Sequence, residues 1–189
     1  AGKLLVELAF EPGAAHALTV DEARGLVFFP VEKVEGNGAN DYWGGGNHGP
    51  GLYSDSLVAL DATTGAALWR FDTTPHAIKT VVNRDGVQMW GPSGAVVWNS
   101  PTIDPKRGLL YFGTGQNSSS PATATSDAII ALDLKTGAQR WIFQALADDA
   151  WNAACLGGGA SCPAENGPDF DFGAPVMLVE RKSGDLLLA

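Results

Sequence analysis

The feature that most narrows the folds open to this chain is that it repeats itself. Residues 54–71 read SDSLVALDATTGAALWRF and residues 126–143 read SDAIIALDLKTGAQRWIF, an offset of 72 residues with the frame SD…ALD..TGA..W.F in common. Upstream, VDEARGLVFFP at 20–30 matches IDPKRGLLYFG at 103–113, at an offset of 83. The two offsets differ because the first copy carries an extra Gly-rich loop at residues 36–52. A period of this length marks a supersecondary unit that cannot bury its apolar faces alone and must stack on its neighbours.

Each copy reads as strand, tight turn, strand. LVALD and IIALD are short apolar runs rich in branched residues, the pattern of buried strands. Asp61 and Asp133 can accept hydrogen bonds from the N–H groups of the turn that follows. Gly65 and Gly137 can supply the positive φ that such a turn needs. The chain then returns through AALWRF or AQRWIF, which puts Trp69 and Trp141 at one fixed place per unit. Large flat side chains so placed are predicted to be buried between stacked units. Residues 22–24 and 105–107 read as turns, and no amphipathic helix is evident. The fold class is therefore all-β, built by radial repetition.

Composition agrees and excludes some functions. The 24 Gly and 11 Pro among 189 residues suit many short strands and frequent turns. With 21 acidic against 12 basic residues the net charge is −9, which excludes a nucleic-acid partner, since phosphate binding needs a basic face. No run of 18 apolar residues is present, so no membrane-spanning helix is expected. The chain begins Ala1-Gly2-Lys3, with neither an initiating Met nor a signal peptide, and stops inside the apolar run 186–189. Both ends read as cut.

The repeated ALDxxTGxxxW resembles the docking motif of the eight-bladed quinoprotein propellers. A longer ordered series strengthens the likeness: WGPSGAVVWNSPTIDP at 90–105, RGLLYFGTGQN at 107–117, SDAIIALDLKTGAQRW at 126–141, DDAWN at 148–152 and CPAENGPDFDFGAP at 162–175. This series resembles the polyvinyl alcohol dehydrogenase branch of the alcohol dehydrogenases that depend on pyrroloquinoline quinone (PQQ). The likeness covers residues 54–189 well; before that it is confined to the RGLVFFP strand and the run into the repeat. It implies that residues 1–189 are one partial propeller domain, two to three four-stranded antiparallel blades with docking repeats at 54–71 and 126–143. Eight such repeats need about 580 residues, so this length cannot close the ring.

The resemblance also implies a site. PQQ is a flat anion that needs an aromatic floor and a hard divalent ion beside its quinone oxygen. Trp98, in VVWNSPTID, stands where the family places the Trp beneath the cofactor. GTGQN at 113–117 stands where the family places an amide ligand to Ca²⁺. Counting without a gap from Trp98 gives Gln116, while Asn117, one residue on, has the family's amide type. Alcohol oxidation needs a base for the hydroxyl proton. Many relatives carry WDxD there, where this chain has Trp151-Asn152-Ala153-Ala154. Asn152 occupies the base position but cannot act as a base, so Asp149, or Asp148, is expected to take the role.

Other features carry less. Asp169 and Asp171 are expected in a turn entering the next strand, with Phe170 and Phe172 alternating inward. Lys182 lies in a hairpin before the place of the family's quinone-polarising residue. His16, His48 and His76 are isolated, and the glycines at 44–46 lack the strand–helix setting of a phosphate cradle. Cys155 and Cys162, seven apart, are either free thiols or, as export of the family implies, a local disulfide. No His is near enough to suggest zinc. The resemblance implies a periplasmic enzyme oxidising primary or secondary alcohols, polymeric ones included, with PQQ and Ca²⁺, and passing electrons to an acceptor such as a cytochrome c. The alternative is a non-enzymatic propeller that scaffolds proteins.

Overall fold

The two copies of the repeat become two four-stranded antiparallel sheets. In the computed structural model, which describes residues 18–31 and 55–189, β1 (Thr19–Asp21), β2 (Leu26–Val31), β3 (Ser56–Asp61) and β4 (Ala67–Asp72) pair in chain order. A link follows, holding the hairpin β5 (Ile78–Val82) and β6 (Gln88–Gly91) and the short β7 (Ser93–Gly94). The second sheet contains β8 (Thr102–Asp104) and β9 (Leu109–Gly113). The chain then leaves the sheet as β10 (Asn117–Ser119), which pairs with β7, and returns as β11 (Ala128–Asp133) and β12 (Gln139–Gln144). A second link holds one short 3-10 helix, Ala153–Gly157, and leads to the hairpin of β13 (Met177–Val179) and β14 (Leu186–Leu188). The extra loop at 36–52, Ser54, His16, His48 and the glycines at 44–46 lie outside the described residues.

The turns form as their residues dictate. Asp61 Oδ1 accepts from the Thr63 and Thr64 N–H groups at 3.0 and 2.7 Å; Asp133 Oδ1 accepts from those of Lys135 and Thr136 at 3.0 and 2.9 Å. Gly65 and Gly137 follow at φ 72° and 71°, in the left-handed region that L side chains avoid. The upstream turns match as well: Arg24 and Arg107 each pair with the Asp three residues before, at 2.8 and 2.6 Å.

Strand alternation gives the two sheets a shared face. From the first sheet Phe28, Leu57 and Ala59 meet Leu110, Phe112, Ile130 and Leu132 of the second in one buried cluster, with Trp69 and Phe71 packed against it. Each fully buried side chain of that size contributes roughly 1.5–3 kcal/mol. The other face of the second sheet, Tyr111 and Ala131, packs with Val176 and Leu187 of the following segment. The third unit thus begins to stack on the second as the second stacks on the first.

The two repeat tryptophans share their local setting but not their burial. Trp69 lies 5.8 Å from Phe28, and Trp141 lies 5.8 Å from Tyr111, with interplanar angles of 37° and 33°. Trp69 is then capped by the next unit: its Nε1 donates to Leu134 O at 3.3 Å, and a Cβ on Gly137 would fall 2.6 Å from the indole. Trp69 is still only partly buried and Trp141 is 37% exposed, so the burial expected at both positions is reached at neither. Residues 177–189 supply two strands of a third unit, and among the described residues no counterpart of the turn at 133–137 lies over Trp141.

Candidate active site

Three stretches meet beyond the end of β9: the segment from β7 to β8, the excursion around β10, and the second link. Trp98 lies in the first of these, and its neighbour Asn99 fixes it. Asn99, 2% exposed, donates to Gly113 O at 2.9 Å and to Phe172 O at 2.6 Å. That amide ties Trp98 both to the end of β9 and to the second link. Gly173 rests against the six-membered ring of Trp98, where an added Cβ would come within 2.9 Å. The indole remains 41% exposed. It is an aromatic surface held from behind, as a platform for a flat ligand needs.

The two candidate metal ligands part company. Asn117 is fully buried and its amide is consumed: Oδ1 accepts from the Thr123 N–H at 2.6 Å and hydroxyl at 3.1 Å, and Nδ2 donates to Ser93 O at 3.0 Å. With both polar atoms engaged, Asn117 pins β10 to the Thr123 turn and to β7 and has no oxygen to spare for an ion. Gln116 is held by its backbone, its N–H donating to Asp171 Oδ1 at 2.9 Å, while its Nε2 reaches Trp151 O at 3.5 Å. Among the described residues no donor occupies its side-chain oxygen.

Asn152 and Asp149 divide in the same way. Asn152, 2% exposed, donates to Ser118 O and Ser161 O, both at 3.0 Å, and accepts from the Ala154 N–H at 2.9 Å as the N-cap of the 3-10 helix. It clasps three backbone segments and, as an amide, takes up no proton. Asp148 is exposed, with a left-handed φ of 56°. Asp149 is fully buried, and neither carboxylate oxygen has a hydrogen-bond partner of ordinary geometry. Burial pushes its carboxyl above the usual carboxylate range; the facing N–H groups of Asp169, Phe170 and Gly167 pull it back in part.

The structure adds residues that sequence reasoning passed over. Asp127, 1% exposed, also has no partner of ordinary geometry for either oxygen, and burial, followed by repulsion from Asp149, lifts its carboxyl to about 7 against the weaker pull of the Ser126 hydroxyl. Desolvation raises Asp169 and Asp171 too, with repulsion from neighbouring carboxylates adding to it. Asp169 and Asp171 therefore do not simply lead into a strand. Phe170 points outward at 69% exposure, since the segment is drawn back by the Asp171 bond to Gln116. One clue was legible: Asp127 repeats Asp55, and both are buried at φ 48°. Even so, among the described residues no three His, Cys, Asp or Glu side chains converge closely enough to hold a metal ion. Cys155 and Cys162 are joined in a disulfide that closes the loop beside this site.

Comparison with known proteins gives this geometry a context. Residues 11–81 and 79–155 match the family model of the PQQ glucose/ethanol/alcohol dehydrogenase β-propeller domain. The chain is 42% identical over 149 residues to a polyvinylalcohol dehydrogenase of Sphingopyxis sp. (strain 113P3), covering 70% of this chain and 22% of that protein. It is 37% identical over 176 residues to a polyvinylalcohol dehydrogenase of Pseudomonas sp., covering 92% and 27%. The chain thus spans about a quarter of the length of these relatives. Among solved structures, the quinohemoprotein alcohol dehydrogenase of Pseudomonas putida HK5 superposes with a TM-score of 0.55 at 22% identity, over 90% of this chain and 23% of that one.

Proposed function

The chain belongs to the β-propeller family of PQQ-type glucose, ethanol and alcohol dehydrogenases, and from that premise we propose that it forms part of a quinoprotein dehydrogenase of primary or secondary alcohols, polymeric ones included. The observation that carries the reading is the exposed Trp98 platform, held through Asn99 and Gly173 against the second link, which also carries the buried carboxylate of Asp149.

The residues present fit PQQ on one count and a calcium ion in part. Trp98, backed by Gly173 and fixed through Asn99, would support the face of the cofactor. The Gln116 oxygen is the amide free to face Ca²⁺, with Asp171 beside it; Asn117 is spent on the fold. Orphaned carboxylates with raised pKa values favour a nearby cation, which would relieve their repulsion. PQQ, when bound, supplies the two-electron acceptor for conversion of a carbinol to a carbonyl. Asp149 takes the hydroxyl proton onto its carboxylate, and desolvation makes it a stronger base than an exposed aspartate. Asn152 keeps the surrounding loop in place.

Cytochrome c as acceptor and the periplasm as location follow from the family resemblance. The Cys155–Cys162 disulfide supports the second, since such bonds persist in oxidising compartments. The test is dye-linked alcohol oxidation by the full-length protein with PQQ and Ca²⁺ added separately and together. The proposal predicts a rate that requires both; a full-length protein with no PQQ-dependent rate on any primary or secondary alcohol would refute it.

A further inference from the structure

The second link has two functional parts, and they are fixed in different ways. Residues 171–173, which back Trp98, have bonds of their own to the strands around it. Asp171 Oδ1 accepts from the Gln116 N–H at 2.9 Å, and Phe172 O accepts from the Asn99 amide at 2.6 Å. Residues 149–152, which carry the candidate base, lie between β10 and the stretch that follows the disulfide loop. On the β10 side the Asn117 N–H donates to Asp149 O at 3.2 Å, and the Trp151 N–H donates to Asn117 O at 2.8 Å. On the other side the Ala150 N–H donates to Glu165 O at 3.0 Å. Gly167 stands there too, so close that an added Cβ would fall 2.1 Å from Asp149 Oδ1. The Asn152 amide joins the two sides, donating to Ser118 O and to Ser161 O.

Residues 153–162 connect the base segment to that far side, and they contain little that would hold their ends together. Gly157, Gly158 and Gly159 follow one another, the 3-10 helix has no buried residue, and Leu156 is 81% exposed. Such a stretch gains almost nothing from apolar burial and has much backbone freedom to lose. The Ser120 hydroxyl supplies one hold, donating to Glu165 and accepting from the Ala164 N–H at 3.2 Å. The other is covalent. The Cys155 N–H bonds Asn152 O at 2.9 Å, Cys162 follows Ser161, and the disulfide joins the two cysteines. Closing that ring removes the conformations in which the ends part. It also fixes the Ser161 carbonyl relative to the Asn152 amide that clasps it. We propose that Cys155 and Cys162 are positioning residues for alcohol oxidation: their disulfide keeps residues 163–167 against the Asp149 segment and so holds the carboxylate in place. This rests on Asp149 being the base, and it adds what orients that base. The Trp98 platform, with bonds of its own, does not depend on the ring.

The experiment uses the full-length protein and a Cys155→Ser/Cys162→Ser double variant. PQQ affinity is measured by fluorescence titration, 2-butanol oxidation by steady-state kinetics with PQQ and Ca²⁺, and backbone protection by amide hydrogen exchange. To separate positioning from folding, wild-type protein is also opened after it has folded. Tris(2-carboxyethyl)phosphine takes up oxygen from water as the disulfide gains two electrons and two protons. Iodoacetamide then caps both thiols, and the reagents are removed. The same treatment of the double variant reports on any other disulfide. In both opened forms kcat should fall by about 10- to 100-fold, the scale on which a displacement of about 1 Å acts. PQQ affinity and the KM for 2-butanol should stay within about twofold. Exchange should quicken in residues 149–152 and 163–167, while β9 keeps its protection. Unchanged kcat in the opened wild-type protein, or PQQ affinity falling in step with kcat, would overturn the positioning role. If the intact protein oxidises no alcohol, the enzymatic reading fails, and exchange alone decides: quickening confined to those two stretches keeps the brace, and none removes it.

Discussion

Set side by side, the first and second sheets are alike wherever the chemistry is local and differ wherever a neighbour is involved. The Asp-Gly turns agree to within a few tenths of an ångström, and the Phe28–Trp69 and Tyr111–Trp141 pairs have the same 5.8 Å spacing. Asp55 and Asp127 share φ 48°, and their carbonyls accept from Thr73 and Ala145 at the same 2.8 Å. Yet Trp69 is capped and Trp141 is not. Asp55 meets the Gly94 N–H at 3.4 Å, whereas Asp127 meets other carboxylates. The two links diverge most. One folds into a hairpin; the other is closed by a disulfide and carries Asp149. A repeat therefore reproduces geometry, and its surroundings decide what that geometry does.

The largest expected effect separates the links. Asp149→Asn should lower kcat/KM for alcohol by about 10²- to 10⁴-fold, the usual worth of a general base. Asp85→Asn, at the exposed tip of the first hairpin, should leave it unchanged. Because desolvation raises Asp149, the wild-type rate should climb with pH to a point above the ordinary carboxylate range before levelling, and steady-state kinetics across pH 4–9 would show it. Equal effects at Asp85 and Asp149 would erase the distinction between links.

The next effect separates the tryptophans. Trp69→Ala should cost about 3 kcal/mol and Trp141→Ala about 1 kcal/mol in denaturant unfolding of this chain, since only Trp69 packs against the buried cluster between the sheets. Equal costs in a longer form of the protein would show that a further unit covers Trp141 as the second covers Trp69.

A smaller effect tests the paired aspartates. Asp127 holds its proton up to about 7 when folded, far above an unfolded aspartate. Between about pH 4 and 7 the folded state keeps a proton that the unfolded state has released, so this group's contribution to stability falls as pH rises and stays low above 7. Asp127→Asn should therefore raise the free energy of unfolding, and by more at pH 8 than at pH 4, the difference being on the order of 2 kcal/mol. Asp55→Asn weakens an acceptor of the Gly94 N–H and should give no such gain. Identical pH responses would mean that burial and the neighbouring carboxylates do not raise Asp127 as its placement implies.

The smallest effect should show likeness. Asp61→Ala and Asp133→Ala remove the same turn bonds and should lower Tm by similar small amounts. The second drop should be slightly larger, because Asp133 also pairs with Arg140 at 2.8 Å. A large gap between them would contradict the near-identity of the turns.

By itself the sequence determined the all-β class, the places of the strands and turns, the stacking tryptophans and the nearness of the two cysteines. These depend on interactions spanning a few residues: an aspartate bonding N–H groups two and three positions on, a glycine at positive φ, side chains alternating along a strand. Only the tertiary structure decided which candidate side chains are engaged in holding the fold. Asn117 and Gln116 are neighbours of similar chemistry, but the Asn117 amide is taken by Thr123 and by Ser93, 24 residues upstream, leaving Gln116. Asn152 is spent on Ser118, 34 residues away, and on Ser161. Asp127, Asp149 and Asp171 gather although 44 residues separate the first from the last. Whether a polar side chain binds a ligand or braces the fold depends on its partners, and a buried group takes those partners wherever the packed chain brings them, at separations no local pattern records.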